Sequence, residues 1–252
     1  MTERHVHDVV AQNQTLHIGP SALSYSELGQ GKGRLTINVN EFTAPLPRRV
    51  QGRIQLDLQL QNTERFNLDR HAHHQWWPAA PNSRIKVDLN QPGTHWQGNA
   101  YADMNWGARP IENDLRYWCW SRFRRANGTL IHYDIFNTLS ASTDKTDTPD
   151  KSISIFVDDA GNVEHTQPPA MHTLPRSGWR MPRHARGDDS PPEIITAMED
   201  TPFYTRSAIR SHINGEPLIG INESVSLTRF KHPVVQTMLR FRMPRLRWQT
   251  QQ

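Results

Sequence analysis

The stretch RYWCWSRFRRANGTLIHYDIF, residues Arg116–Phe136, decides the fold of this chain. Two runs rich in aromatic and β-branched residues flank Asn127–Gly128, a dipeptide that strongly favours a two-residue hairpin turn. The stretch therefore predicts an antiparallel hairpin in which Asp134 faces Ser121 and Tyr133 faces Arg122. Because side chains alternate across a strand, one face is predicted to carry Trp118, Trp120, Ile131 and Tyr133, and the other Phe123, His132 and Asp134.

Further strands are predicted on both sides of this hairpin. Alternating runs occur at Arg34–Asn40, Val50–Leu60, Arg84–Leu89 and Ser152–Val157, and 18 prolines argue against long helices. Residues 167–192 are rich in Pro, Arg, Gly and His and are predicted to form a long loop. The fold class is therefore all-β and antiparallel. A boundary near Pro92–Gly93 is expected to divide the chain into units of residues 1–92 and 93–252.

Composition indicates a soluble protein in a reducing compartment. The 252 residues contain no apolar run long enough to span a bilayer and no secretory signal at the start. The single cysteine, Cys119, excludes an intrachain disulfide. Lys and Arg outnumber Asp and Glu by 29 to 25, with a cluster of basic residues from Arg229 to Arg247. This cluster suits either an anionic membrane surface or a solvated strand flank, and no motif indicates nucleic acid.

Aromatic residues and carboxylates are concentrated between Asn99 and Asp134. Four of the eight tryptophans lie between Trp96 and Trp120. Ring faces stabilise positive charge, and a buried carboxylic acid can supply a proton. The region therefore suits a site that binds an apolar, electron-rich molecule or generates a cation.

The motifs of the chain resemble those of the carotenoid 1,2-hydratases of phototrophic bacteria, also called hydroxyneurosporene synthases. The resemblance runs in order along nearly the whole chain. Its segments are LHIGPSALSY (Leu16–Tyr25), EFTAPLPRRVQGRI (Glu41–Ile54), HHQWWPAAPNSRIKVDL (His73–Leu89), W-x-G-x-x-Y-x-D-x-N-W-G (Trp96–Gly107), WCWSR (Trp118–Arg122), EDTPFYTRS (Glu199–Ser207), ESVSLTRF (Glu223–Phe230) and LRFRMPR (Leu239–Arg245).

The resemblance implies two lipocalin-like barrel or sandwich units, with the site in or beside the second. It implies addition of water to the terminal C1=C2 bond of neurosporene or lycopene, without metal or organic cofactor. A cytoplasmic protein attached peripherally to the inner photosynthetic membrane is expected. Two departures stand out. Family members usually carry residues ahead of the position of Met1, so the first unit is expected to be incomplete. Many members also have His at the position of Met104.

Hydration of an isolated alkene requires a general acid, and Asp134 is the first candidate because it lies mid-strand in an apolar run. His132, two residues away, would bond to Asp134 or position the water. Asp103 is the second candidate, with Asn105 nearby to orient water. Each of these residues also has a structural interpretation. Asp134 would be an outward-facing strand carboxylate and His132 a structural histidine. Asp103 and Asn105 would cap or hold the turn at Gly107.

The remaining candidates are aromatic rings, glutamates expected to form ion pairs with arginines, and two histidines. Cation stabilisation and substrate binding are expected from a set of rings that would otherwise be ordinary core: Tyr101, Trp106, Trp118, Trp120 and Tyr133. Glu112 and Glu223 match family positions, and Arg122 or Arg229 is expected to pair with them. His71 and His73 invite a metal interpretation, but no third ligand follows with motif spacing, so no metal is predicted.

Two other functions stay open at this point. An isoprenoid cyclase or isomerase would use the same acid but exclude water. A non-catalytic carrier would bind an apolar ligand and leave its mass unchanged.

Overall fold

The computed structural model of the protein describes residues 6–43, 46–59, 61–138 and 148–242. Antiparallel strands dominate, which confirms the all-β prediction. The chain forms two compact units: unit 1 comprises Met1–Gln61, Ala80–Ala102 and Gln236–Gln252, and unit 2 comprises Asn62–Ala79 and Asp103–Val235. The predicted boundary at Pro92–Gly93 is a turn between two strands of unit 1, and the division into 1–92 and 93–252 stays a prediction.

The first sheet has eight strands, most of them in unit 1. They are β1 (Val9–Gln12), β2 (Thr15–Ile18), β3 (Ser21–Gly29), β4 (Lys32–Phe42), β5 (Arg49–Leu58), β6 (Phe66–Asn67), β7 (His74–Gln91) and β8 (Thr94–Gly107). The predicted alternation of β5 is seen in its pairing, because Ile54 lies opposite Ile37 and Leu56 opposite Leu35 on one face. β6, the start of β7 and the end of β8 belong to unit 2.

The second sheet lies in unit 2 and has seven strands in the order β12-β11-β10-β9-β17-β16-β15. Its strands are β9 (Leu115–Arg125), β10 (Gly128–Asn137), β11 (Lys151–Asp158), β12 (Val163–His165), β15 (Glu193–Asp200), β16 (Tyr204–Ile213) and β17 (Glu216–Ser226). Two further strands, β13 (Ala170–Leu174) and β14 (Arg183–Gly187), pair only with each other. In the described residues both large sheets run from edge to edge without closing.

The hairpin of β9 and β10 forms with the predicted faces but a different register. Tyr133 lies opposite Trp120 and Asp134 opposite Cys119, so each predicted partner was wrong by two residues. The turn is Ala126–Asn127, and Gly128 is the first residue of β10. A Cβ on Gly128 would lie 2.5 Å from the carbonyl oxygen of Val157, so this glycine serves close strand packing rather than the turn. A shift of two residues leaves every side chain on its predicted face.

The prediction of a long loop at residues 167–192 was wrong. The segment contains β13 and β14, and all five residues of β14 are buried. Its polar composition is explained by polar partners inside unit 2. Arg186 pairs with Asp134, and Asn222 donates a hydrogen bond to the carbonyl of His184 at 3.0 Å. Buried polar groups are tolerated where such partners are present.

Two helices follow β17: α1 (Leu227–Phe230), whose N-terminus is capped by the Ser226 hydroxyl, and α2 (Pro233–Arg242). Among the residues that the structure describes, neither helix has the length and apolar character needed to cross a membrane. Within the predicted basic cluster, Arg229 donates to the backbone carbonyls of Trp179, Arg180 and Pro202. Arg245 and Arg247 lie outside the described residues.

Candidate functional site

One face of the second sheet carries the tryptophans of the central hairpin. We call this the tryptophan face. The register aligns one row of directly opposed residues across five strands: Arg206, Glu223, Trp120, Tyr133 and Ile153. Trp118 lies in the neighbouring row, with its ring centroid 6.4 Å from that of Tyr133. The tryptophan rings are half-buried, whereas Tyr133 is buried. Aromatic surface is thus accessible beside charged groups.

Asp103 joins this face through a buried tryptophan. The indole Nε1 of Trp76 donates a 2.8 Å hydrogen bond to Asp103 Oδ2. Trp76 is fully buried and meets Tyr133 edge to face, with centroids 5.2 Å apart. Asp103 itself is exposed, so its carboxyl lies at the outer edge of the aromatic group. An indole donor on one carboxyl oxygen fixes the orientation of the carboxyl group.

Glu223 is the second carboxylate of the tryptophan face. Arg206 contacts its Oε1 through Nε at 2.9 Å and Nη2 at 2.7 Å. The β16–β17 register places Arg206, which the sequence analysis did not name as a partner, directly opposite Glu223. Burial raises the pKa of the Tyr133 hydroxyl, and the charges of Asp103 and Glu223 raise it further. Both carboxylates thus act on the same buried ring.

Asp134 lies on the opposite face of the same hairpin, which we call the polar face. It is 3% exposed and receives two hydrogen bonds from Arg186, at 3.0 and 2.6 Å. The hydroxyl of Ser152 donates a third at 2.6 Å. Arg186 also donates to the carbonyl of Pro169. This arrangement is a bidentate, buried ion pair between β10 and β14, a geometry that fixes the position of the carboxylate.

His132 shares the polar face with Asp134 but does not bond to it. Its Nδ1 is 2.9 Å from Ser154 Oγ, and its Nε2 is buried without a hydrogen-bond partner among the described residues. Burial lowers the pKa of His132 to about 4, with the charge of Arg186 contributing and that of Asp134 opposing. The imidazole is therefore neutral near pH 7.

The remaining candidates lie along β8. Asn105 and Trp106 are exposed, and the guanidinium of Arg65 lies 5.7 Å from the Trp106 ring centroid. Trp106 thus already faces a cation within unit 2. Tyr101 is half-buried and belongs to unit 1.

The structure therefore divides the candidates into two groups. Trp118, Trp120 and Tyr133 share the tryptophan face, to which Asp103 is linked through Trp76, whereas Asp134 and His132 lie on the polar face. Sequence reasoning missed Trp76 and Arg186. Trp76 gave a weak signal as part of the motif His73–Leu89, and Arg186 gave none because it lies in the segment predicted to be a loop.

The histidine-rich segment before Trp76 serves structural contacts. His74 Nε2 lies 2.8 Å from Asp114, which Arg109 also binds. Asp69 accepts hydrogen bonds from the backbone amides of His71, His73 and His74. These bonds outweigh burial and lower the pKa of Asp69. Within the described ranges, no group of three or more His, Cys, Asp or Glu side chains is arranged to hold a metal.

Comparison with known proteins places the chain among carotenoid hydratases. The model of the family described as carotenoid hydratase CrtC matches residues 1–251. The chain is 40% identical over 248 residues to the acyclic carotenoid 1,2-hydratase of Thiocapsa roseopersicina, covering 98% of this chain and 58% of that protein. It is 35% identical over 247 residues to the enzyme of the same name from Rubrivivax gelatinosus, covering 97% and 58%.

The relative from Cereibacter sphaeroides is 32% identical over 247 residues, covering 97% of this chain and 84% of that protein. The chain spans 58% of the length of the Thiocapsa and Rubrivivax relatives. The crystal structure of an AttH-type protein from Nitrosomonas europaea aligns with a TM-score of 0.56 at 14% identity, covering 88% of this chain and 72% of that one. That similarity supports the lipocalin-like fold alone. The match over residues 1–251 shows that the chain belongs to the carotenoid hydratase CrtC family.

Proposed function

We propose that this protein adds water to the terminal C1=C2 bond of an acyclic carotenoid such as neurosporene or lycopene. Family membership and the names of the relatives support the reaction class. The observation that carries the chemistry is the carboxyl of Asp103, hydrogen-bonded to Trp76 beside the rings of the tryptophan face. An acid next to accessible aromatic surface is what protonation of an apolar alkene requires.

In this proposal Asp103 transfers a proton to C2, and C1 becomes a tertiary cation. The rings of Trp118 and Trp120 face that cation, each contributing about 0.5–2 kcal/mol. A bound polyene removes water from around Asp103 and thereby favours its protonated form. The indole N–H of Trp76 holds the carboxyl in one orientation before and after the transfer. Water then attacks C1.

Asp134 has a different role in this proposal. Its oxygens already accept three hydrogen bonds, from Arg186 and Ser152, so it offers no oriented proton. We assign it to holding β14 against β10, with His132 in the same layer. A donor role for Asp134 would require Arg186 to move away first.

Attachment to a membrane surface is part of the same proposal, because acyclic carotenoids dissolve in the bilayer and not in water. A peripheral protein would withdraw the polyene end from the lipid. The inner photosynthetic membrane is the expected location.

The test is incubation of purified protein with dispersed lycopene in ¹⁸O-labelled water, followed by mass analysis. Gain of one labelled water supports hydration; an isomer of unchanged mass supports a cyclase or isomerase, and binding without product supports a carrier. We expect Asp103→Asn to lower the rate by about 10²–10⁴-fold. Asp134→Asn should retain hydration per folded molecule, and its loss with an intact fold would transfer the donor role to Asp134. Asp159→Asn, at an exposed turn paired with Arg124, is the matched control.

A further inference from the structure

A hydration reaction needs a second group that the proton donor does not supply. The attacking water must be oriented toward C1, and it must lose a proton after the C–O bond forms. Glu223 is the carboxylate on the tryptophan face whose place suits this task. Its directly opposed neighbour is Trp120, and the directly opposed neighbour of Trp120 is Tyr133. Two inter-strand steps separate Glu223 from Tyr133, roughly 10 Å between Cα atoms.

Asp103 and Glu223 therefore approach Tyr133 by different routes. Asp103 is connected to it through Trp76, whereas Glu223 is connected through Trp120 along the row of opposed residues. Both charges contribute to raising the pKa of the buried Tyr133 hydroxyl, as burial does. Two rings beside Tyr133 thus each have a carboxylate next to them: Trp76 has Asp103, and Trp120 has Glu223.

The surroundings of Glu223 hold it against Arg206 and leave part of its side chain accessible to solvent. Both contacts from Arg206 go to Oε1, and the Arg206 guanidinium also lies 5.9 Å from the ring centroid of Tyr204. The Glu223 side chain retains 21% of its surface exposed. Burial alone would lower the pKa of Arg206, but Glu223 and the Tyr204 hydroxyl outweigh burial and the pKa is raised. The Arg206 guanidinium is therefore charged near neutral pH.

We propose that Glu223, held by Arg206, orients the water that attacks C1 and accepts its proton. This inference rests on the proposed hydratase function. The C2–H bond forms with the proton of Asp103, water forms the C1–O bond as an oxonium, and Glu223 takes one oxonium proton. Transfer of that proton to Asp103 through solvent restores both groups. The net change is one water added to the alkene.

The weak basicity of carboxylates in general suits this role. An alkyl oxonium is a strong acid, so a weak base suffices to deprotonate it. A stronger base beside the cation would remove a proton from carbon and return the alkene. Arg206 holds the Glu223 carboxylate in position for this transfer.

A second arginine–glutamate pair on the same strand provides a matched control. Glu193 on β15 pairs with Arg210 on β16, and its side chain is 64% exposed. Exposed pairs of this kind contribute little to stability. Glu193→Gln removes the same charge from an arginine–glutamate pair that shares only β16 with the Glu223 pair, without touching the row that contains Trp120 and Tyr133.

The experiment measures two products of the same cation. Wild-type protein, Glu223→Gln, Glu223→Asp and Glu193→Gln are each incubated with lycopene in deuterated water. Hydrated product reports capture of the cation by water. Deuterium in the recovered lycopene reports protonation of C2 followed by return to the alkene, with the Asp103 carboxylate taking a proton back.

We expect Glu223→Gln to lower hydration by about 10²–10⁴-fold while deuterium exchange stays within about tenfold of wild type. Glu223→Asp should restore part of the hydration, and Glu193→Gln should behave as wild type. Equal loss of hydration and exchange in folded Glu223→Gln, or unchanged hydration, overturns the inference. If wild-type protein yields no alcohol under conditions where it binds lycopene, the hydratase proposal itself fails, which is a distinguishable result.

Discussion

His132 is expected to make the stability of unit 2 depend on pH. Burial in the polar face lowers its pKa from 6.5 to about 4 in the folded protein. Between these values the unfolded chain binds a proton that the folded protein excludes. The free energy of unfolding therefore rises with pH through this window, and the contribution of His132 is complete above about pH 6.5. As the pH falls toward about 4, the contribution is lost.

The size of this effect follows from the shift. A fall in pKa from 6.5 to about 4 corresponds to about 3 kcal/mol at 25 °C. This is a large part of the stability of an ordinary domain, which is about 5–15 kcal/mol. His132 is 2% exposed, and solvent screening therefore weakens the effect little.

The assay is urea unfolding at several pH values from 4 to 7 for wild type and His132→Gln. Glutamine keeps a polar side chain beside Ser154 but does not titrate. The difference in unfolding free energy, wild type minus variant, should increase by about 3 kcal/mol from pH 4 to pH 7. His212→Gln, at an exposed position of β16, is the control. Parallel curves for wild type and His132→Gln would refute the argument, because they would mean that His132 is as easily protonated when folded as when unfolded.

Two further outcomes are expected from urea or thermal unfolding. Arg186→Met leaves Asp134 buried without its cation and should lower the unfolding free energy by about 3–5 kcal/mol; a loss below about 1 kcal/mol would show that solvent reaches the carboxylate. Gly128→Ala places a Cβ 2.5 Å from the Val157 carbonyl oxygen, and overpacking of this kind should cost about 1–3 kcal/mol. Gly98→Ala, whose Cβ would meet its nearest neighbour at 3.7 Å, should unfold as wild type, and equal effects of the two alanines would contradict the packing explanation.

Sequence periodicity predicted the strands and the faces of the central hairpin because alternation is a local property. Shifting the pairing of the two strands by an even number of residues leaves Trp118, Trp120 and Tyr133 on the same face. The two-residue error in pairing therefore did not change this grouping. The error itself came from Asn127–Gly128. That dipeptide is a turn signal in isolation, but Gly128 is required inside β10 by a neighbouring strand. A contact between strands distant in sequence is not encoded in a local pattern.

The concentration of rings and acids before Asp134 predicted aromatic surface beside carboxylates, and which residues form the site stays a prediction. It did not indicate that Asp103 on β8 is linked through Trp76 to one face of the hairpin while Asp134 lies on the other face, or that Arg186 pairs with Asp134. The segment that contains Arg186 is polar and rich in proline, which is typical of a loop. Buried polar strands look like loops in sequence, because their hydrogen-bond partners come from elsewhere in the chain.

The sequence by itself determined the all-β class, the sidedness of the central hairpin strands and the family, since each of these depends on residue order or on alternation along one strand. The tertiary structure decided which acid lies beside the rings and which is held by an arginine. Those outcomes depend on how β14, β17 and the start of β7 meet the central hairpin. Charge and solvation at a carboxylate are set by all neighbours in space, and most of those neighbours are remote along the chain.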